Sequence, residues 1–151
     1  MLWALLAYYF FGGFGGATAL GHFYNDQAKS LIKAEVKDSR RRDNAQVFAE
    51  MVKKGVNTLL KETDQNGKKM KKLYQDYSST PAQFDAVIQE SLNEQRRTVS
   101  DIVQSRQALL RAVTREEWNA IIVNAKRQDE AAAAKAAEKA AKKASKQAAP
   151  S

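Results

Sequence analysis

The chain has 151 residues, no cysteine, one histidine and a formal net charge of +8, with 25 Lys and Arg against 17 Asp and Glu. That inventory leaves zinc fingers, thiol nucleophiles, Ser-His-Asp triads and His-based metal sites without their parts, so no catalytic activity and no cofactor are expected. Once the charge-free start and the Ala/Lys-rich end are set aside, roughly 100 residues can pack a core, enough for one small module.

Met1 to Tyr24 contains no Lys, Arg, Asp or Glu, whereas the rest is dense in all four. Leu2 to Leu20 approaches the roughly 20 apolar residues that cross a bilayer, with aromatics toward both ends. The segment 1–24 therefore reads as a transmembrane anchor in contact with the lipid bilayer. Ala17-Thr18-Ala19 also fits a small-x-small cleavage site, so a removed signal peptide stands beside the retained anchor, which the missing basic n-region favours. Gly12 and Gly16 make a GxxxG pair, and Gly13, Ala17 and Gly21 a parallel row, which suits close packing with another copy or another membrane protein. Glycine is also simply common in membrane helices.

Residues 25–44 read as a basic juxtamembrane segment. Lys29, Lys33, Lys37, Arg40, Arg41 and Arg42 outnumber Asp26, Glu35 and Asp38, which by the positive-inside rule puts the bulk of a single-pass protein on the cytoplasmic side of a bacterial inner membrane. Lys37, Arg40, Arg41 and Arg42 are candidate headgroup contacts, each gaining about 1 kcal/mol beside anionic lipid. His22, at the edge of the span, reads as an interfacial polar residue.

Helical periodicity dominates the remainder of the chain. Val52, Val56, Leu59, Thr63, Asn66, Met70, Leu73 and Tyr77 recur at spacings of four and three, which predicts one helix from about Ser30 to Tyr77. Asn66-Gly67 is a turn-favouring pair and marks a candidate break. Asp64-Gln65-Asn66-Gly67 opens like a calcium loop, but its glycine is fourth and Lys68 fifth, so the ligand pattern fails. Thr80-Pro81-Ala82-Gln83 starts a second helix, with Thr80 as cap, proline in the first turn and Gln83 at the capping-box position. Its stripe is Phe84, Val87, Ile88, Leu92, Val99, Ile102, Val103, Leu109, Leu110 and Val113. The short connection makes the two helices an antiparallel hairpin with coiled-coil spacing, over residues 45–128.

Thr114 and Glu117 repeat the box and start a third helix of about two apolar turns. Trp118 is its expected core anchor, buried near Leu109, Leu110 and Val113. Residues 129–151 form an Ala/Lys-rich tail, helical or disordered, with nothing large to bury. The predicted fold class is all-α: a single transmembrane helix, a long antiparallel hairpin, a short third helix and the tail.

The starts Thr80-Pro81-Ala82-Gln83 and Thr114-Arg115-Glu116-Glu117, one helix length apart, resemble the paired Leu-Thr-x-x-Gln motifs of the Spy/CpxP-like family over about residues 45 to 128. Ser79 and Val113 stand where that pattern has leucine, and Glu117 replaces the second glutamine. The resemblance implies a helical hairpin and an exported chaperone or stress sensor, whereas the flanking charges favour a cytoplasmic side.

The runs Arg40-Arg41-Arg42 and Lys68-Lys69-Met70-Lys71-Lys72 offer charge to lipid or nucleic acid. Few aromatics interleave them, which argues against nucleic acid. Three function classes remain: a membrane-anchored interaction or scaffold protein that binds a protein partner through the hairpin; an exported Spy/CpxP-like chaperone or sensor; and an envelope-spanning, phage spanin-like coiled coil.

Overall fold

The computed structural model describes residues 22–147, and these are all-α. A π-helical turn (Phe23–Gln27) leads into α1 (Ala28–Glu35), followed by α2 (Ser39–Gln75), α3 (Pro81–Ala112) and α4 (Arg115–Gln147). Among the described residues no helix is long and apolar enough to cross a membrane. On that finding the expectation of a single-pass fold, and the inner-membrane location drawn from it, is corrected. The run Leu2 to Leu20 lies outside the described residues. The last part of the expected anchor does not: Phe23 packs against the core and Tyr24 is 4% exposed within it. Absence of charge marks a core segment as well as it marks a membrane segment, and here residues 23 and 24 belong to the helical body.

The single helix expected from Ser30 to Tyr77 is two. α1 ends at Val36, whose backbone is extended, and Asp38 caps α2 by accepting the Arg41 backbone N–H at 2.7 Å. α2 then runs unbroken through Asn66-Gly67. Tertiary bonding holds it there: buried Asn66 donates its side-chain amide to Ser91 Oγ at 3.1 Å and to Glu94 at 3.3 Å, and Lys68 pairs with Asp64 one turn away.

α2 and α3 form the principal contact of the fold, an antiparallel hairpin. Ser78 closes its turn by donating its N–H and hydroxyl to Asp76, which holds that exposed carboxyl below its usual range. α1 returns along the lower part of α2, against Ala45 and Ala49, whose small side chains admit a close neighbour. α4 lies across α1, joined by Gln27 to Asp129 at 2.6 Å and Asn124 to Glu35 at 2.9 Å. It is a long helix, extending to Gln147 where about two turns and a tail were expected. Ala, Lys and Glu have high helix propensity, so the ladder continues where the apolar stripe stops.

The core draws on every element: Tyr24, Leu31, Ile32, Val36, Val52, Val56, Ile102, Leu109, Val113 and Ile121 are all buried. Ile32, Leu109 and Ile121, each fully buried, come from α1, α3 and α4. The core therefore sits at the open end of the hairpin, away from its turn.

At Gly55, α2 comes close against a side chain of α3. A Cβ there would lie 2.6 Å from Ile102 Cγ1, next to the branch point of a 5% exposed side chain, whereas a Cβ on Gly67 would meet nothing within 4 Å. The two glycines should therefore respond to alanine with opposite signs. Gly67→Ala gains helix propensity and should stabilise by about 0.5–1 kcal/mol. Gly55→Ala must push the helices apart and should cost about 1–3 kcal/mol. Thermal melts of the two variants check this, and equal shifts would show that the helices do not meet at Gly55.

Candidate interaction surface

Along the hairpin, α2 points Leu59, Glu62, Asn66, Lys69 and Leu73 at α3, which answers with Phe84, Val87, Ser91, Glu94 and Thr98. The contacts are polar as well as apolar. Thr98 donates to Glu62 at 3.0 Å, Asn66 donates to both Ser91 and Glu94, and Lys69 pairs with Glu90 at 3.0 Å. Glu62 takes the seam position expected for Thr63, which is exposed and returns its hydroxyl to Leu59 O at 2.8 Å.

One step round each helix from this seam lies a second stripe: Val56, Leu60, Met70 and Tyr74 on α2, and Ile88, Leu92, Val99, Ile102, Leu109 and Val113 on α3. Because the helices are antiparallel, positions displaced in the same rotational sense fall on the same side of the pair. The two stripes thus put these apolar side chains on one side of the hairpin, interrupted by Thr63 and Gly67 on α2 and by Gln95 and Arg106 on α3. The opposite face carries Thr58, Gln65 and Lys72 with Glu90 and Arg97 and is polar.

Burial divides the apolar face in two. Near the open end it is covered: Val56, Ile102, Leu109 and Val113 are each under 9% exposed, beneath α1, the π turn and α4. Tyr24 of the π turn reaches Arg106 of α3, and burial raises its hydroxyl pKa while the guanidinium opposes that rise. Toward the turn nothing covers it among the described residues. Leu60 is 46% exposed, Ile88 42%, Leu92 40% and Tyr74 76%, with Tyr74 edge-on to Phe84 at 5.1 Å. Past Val56 and Ile102, the only buried residues of the hairpin are polar, Asn66 and Thr98.

The residues singled out from the sequence fall into three groups. Gly12, Gly13, Gly16, Ala17 and Gly21 lie outside the described residues. The two capping boxes form as expected. Gln83 Oε1 accepts the Thr80 N–H at 2.7 Å, and Thr114 and Glu117 exchange bonds of 2.8 and 3.1 Å. Of the basic group at the start of α2, Lys37 and Arg41 are used within the fold: Lys37 donates to Ala34 O at 3.0 Å, ending α1, while Arg40 is exposed and Arg42 half-buried. Arg41 forks onto Glu117 with bonds of 2.8 and 3.0 Å, tying the first turn of α2 to the first turn of α4.

Trp118, expected to be buried against the hairpin as a core anchor, is partly buried and packs against the core. Its ring meets Phe23 edge-on at 6.3 Å, because α4 crosses α1 and the π turn instead of closing over α3 alone. Leu92 is likewise not in the seam, where Ser91 and Glu94 stand. His22, expected as an interfacial residue, lies between Asp26 at 2.8 Å and Asp129 at 3.3 Å. Among the described residues no group of three His, Cys, Asp or Glu could hold a metal ion. A shallow groove lined by Glu50, Lys53, Lys54, Asn57, Thr58 and Lys61 belongs to α2 alone and has no opposing wall.

No family model matches this chain, and neither a curated protein nor a solved structure is detectably similar to it.

Glu117 both completes a capping box and receives Arg41, and the two roles can be separated. Glu117→Gln keeps an acceptor for the Thr114 N–H, as Gln83 does for Thr80, but loses the charged fork. Glu117→Ala loses both and should cost about 2 kcal/mol, the glutamine variant about half of that. Urea unfolding of the two proteins measures the difference, and equal losses would show that Arg41 contributes nothing.

Proposed function

We propose that this protein is a helical interaction module without catalytic chemistry, which binds a protein partner through the uncovered half of the hairpin's apolar face. One observation carries the reading: the apolar side chains on one side of α2 and α3 are buried at the open end of the hairpin and, among the described residues, uncovered toward its turn. Isolated exposed leucines are ordinary, but Leu60, Tyr74, Ile88 and Leu92 all lie on the side of the hairpin that is buried at its open end. Burying a side chain of this size from water gains about 1.5–3 kcal/mol when complete, so a partner recovers part of that at each position.

A holding chaperone is the second reading, and the same bare face favours it, since exposed aliphatic and aromatic groups also retain unfolded chains. The two differ in stoichiometry and selectivity. A docking module takes one defined segment, whereas a holdase takes any exposed apolar stretch.

A photoreactive amino acid placed at Leu92, and in a second protein at Gln65 on the polar face, should give a discrete adduct in cells from the first position alone. Adducts from both positions, or from neither, would remove the reading. Leu92→Glu should leave the melting temperature within a few degrees of the parent, because a side chain 40% exposed that contributes nothing to the seam costs about 1 kcal/mol or less to replace.

A further inference from the structure

α4 changes character halfway along. Up to Asp129 it is tied to the body, by Glu117 to Arg41, Asn124 to Glu35 and Asp129 to Gln27. Beyond that point the helix continues to Gln147, and every side chain from Glu130 to Lys142 is exposed, so no other element covers it among the described residues. At 1.5 Å per residue, 131–147 is a bare helical extension about 25 Å long. It holds five lysines, Lys135, Lys139, Lys142, Lys143 and Lys146, and one acid, Glu138, which pairs with Lys142 at 2.6 Å; with that acid counted the net charge is +4. Asp129 and Glu130, just before the extension, are offset by Lys126 and Arg127. Lys135, Lys139, Lys142 and Lys146 recur at spacings of four and three, which puts these positions in one line along the helix.

An alanine helix needs charge to stay dissolved, but pairs of opposite sign would serve, and here a single glutamate stands against five lysines. No residue after Val123 is aromatic or a large aliphatic, and none after Arg127 is arginine. Those absences decide the partner. A helix lying in a membrane interface buries a face of leucine and aromatic groups. A protein partner is gripped by aromatic or arginine anchors set in pockets. An unpaired nucleic acid strand is held by bases stacked on aromatics. The ligand that needs none of these is one whose own surface is a regular array of anions, and duplex nucleic acid presents one phosphate per about 1.7 Å of its axis. We infer that the extension of α4 binds duplex nucleic acid along its phosphate backbone, without reading sequence. The scarcity of aromatics beside the basic runs argues against stacked bases and not against this backbone contact. The lysines are already arrayed on a helix anchored at its base, so little ordering is needed on binding. The site is separate from the apolar side of the hairpin and does not rest on the interaction role proposed for it.

Fluorescence anisotropy of the full-length chain with two labelled DNA duplexes of about 24 base pairs and unrelated sequence tests this. Both should bind with the same affinity. Neutralising four or five phosphates gives log K a slope of about −4 against log salt, so each doubling of salt should weaken binding about tenfold. The quadruple variant Lys135→Gln, Lys139→Gln, Lys142→Gln and Lys146→Gln should bind at least tenfold more weakly at low salt, with a slope nearer −1. Glutamine has a helix propensity close to that of lysine, so circular dichroism should be unchanged. A triple variant on α2, Lys54→Gln, Lys61→Gln and Lys72→Gln, should stay within about twofold of the parent.

Equal losses in the quadruple and triple variants would assign the binding to the overall charge of the chain and overturn a site on the extension. A tenfold preference for one duplex would overturn the backbone contact. Vesicles of phosphatidylglycerol that capture the parent more tightly than either duplex does, and release the quadruple variant, would make lipid headgroups the partner and overturn the assignment to nucleic acid, as would absence of duplex binding at low salt.

Discussion

Two antiparallel helices can bury only the side they turn to each other, and everything else in this fold follows from how the remaining apolar face of the α2/α3 hairpin is covered. The seam between the helices is narrow and partly polar, so it does not close a core by itself. α1, the π turn and α4 supply the missing layer, and the fully buried side chains Ile32, Leu109 and Ile121 lie where those elements come together. Without the covering layer Val56, Ile102, Leu109 and Val113 would be as bare as Leu60 and Leu92 are.

Placement of that layer depends on short-range chemistry at the chain's corners. Asp38 starts α2 three residues after α1 ends, so α1 has to double back along α2. Arg41 then receives Glu117, which is itself fixed by its bonds to Thr114, so the beginnings of α2 and α4 are held at a common point. From there α4 crosses α1, and Asn124 and Asp129 fix the crossing through Glu35 and Gln27. Glu117 sits at the intersection of two constraints, one local and one spanning 76 residues of sequence.

The hairpin was legible because its signals are local and repeated. Thr80-Pro81 with Gln83 and Thr114 with Glu117 state their helix starts directly, and the spacing of four and three from Val52 onward states a helix. The Asp38 start was there to be seen, as an aspartate at a cap position before a basic turn, but the apolar spacing on either side ran on and masked it. Which stripe of α3 faces α2 could not be read from the residues. Ile88 and Leu92 are more apolar than Ser91 and Glu94, and hydropathy alone would put the former inside. The seam instead uses the polar pair because Asn66, Glu62 and Lys69 on α2 provide hydrogen-bonding partners, and that complementarity exists only once the helices are side by side. Tyr24 misled for the opposite reason: an uncharged aromatic is equally at home in a core and at a membrane edge.

The polar seam has a thermal consequence. Heat capacity changes on unfolding come from apolar surface newly exposed to water, with polar exposure acting in the opposite sense. In the half of the hairpin near the turn, the fully buried residues are Asn66 and Thr98, and Leu73, Phe84 and Val87 are only half-buried, so opening that half releases less apolar surface than opening the base. Its stability curve should be flatter with temperature than that of the base, which is rich in buried aliphatic groups. The two halves of one pair of helices are therefore balanced differently: cooling weakens the hydrophobic base relative to the hydrogen-bonded arm.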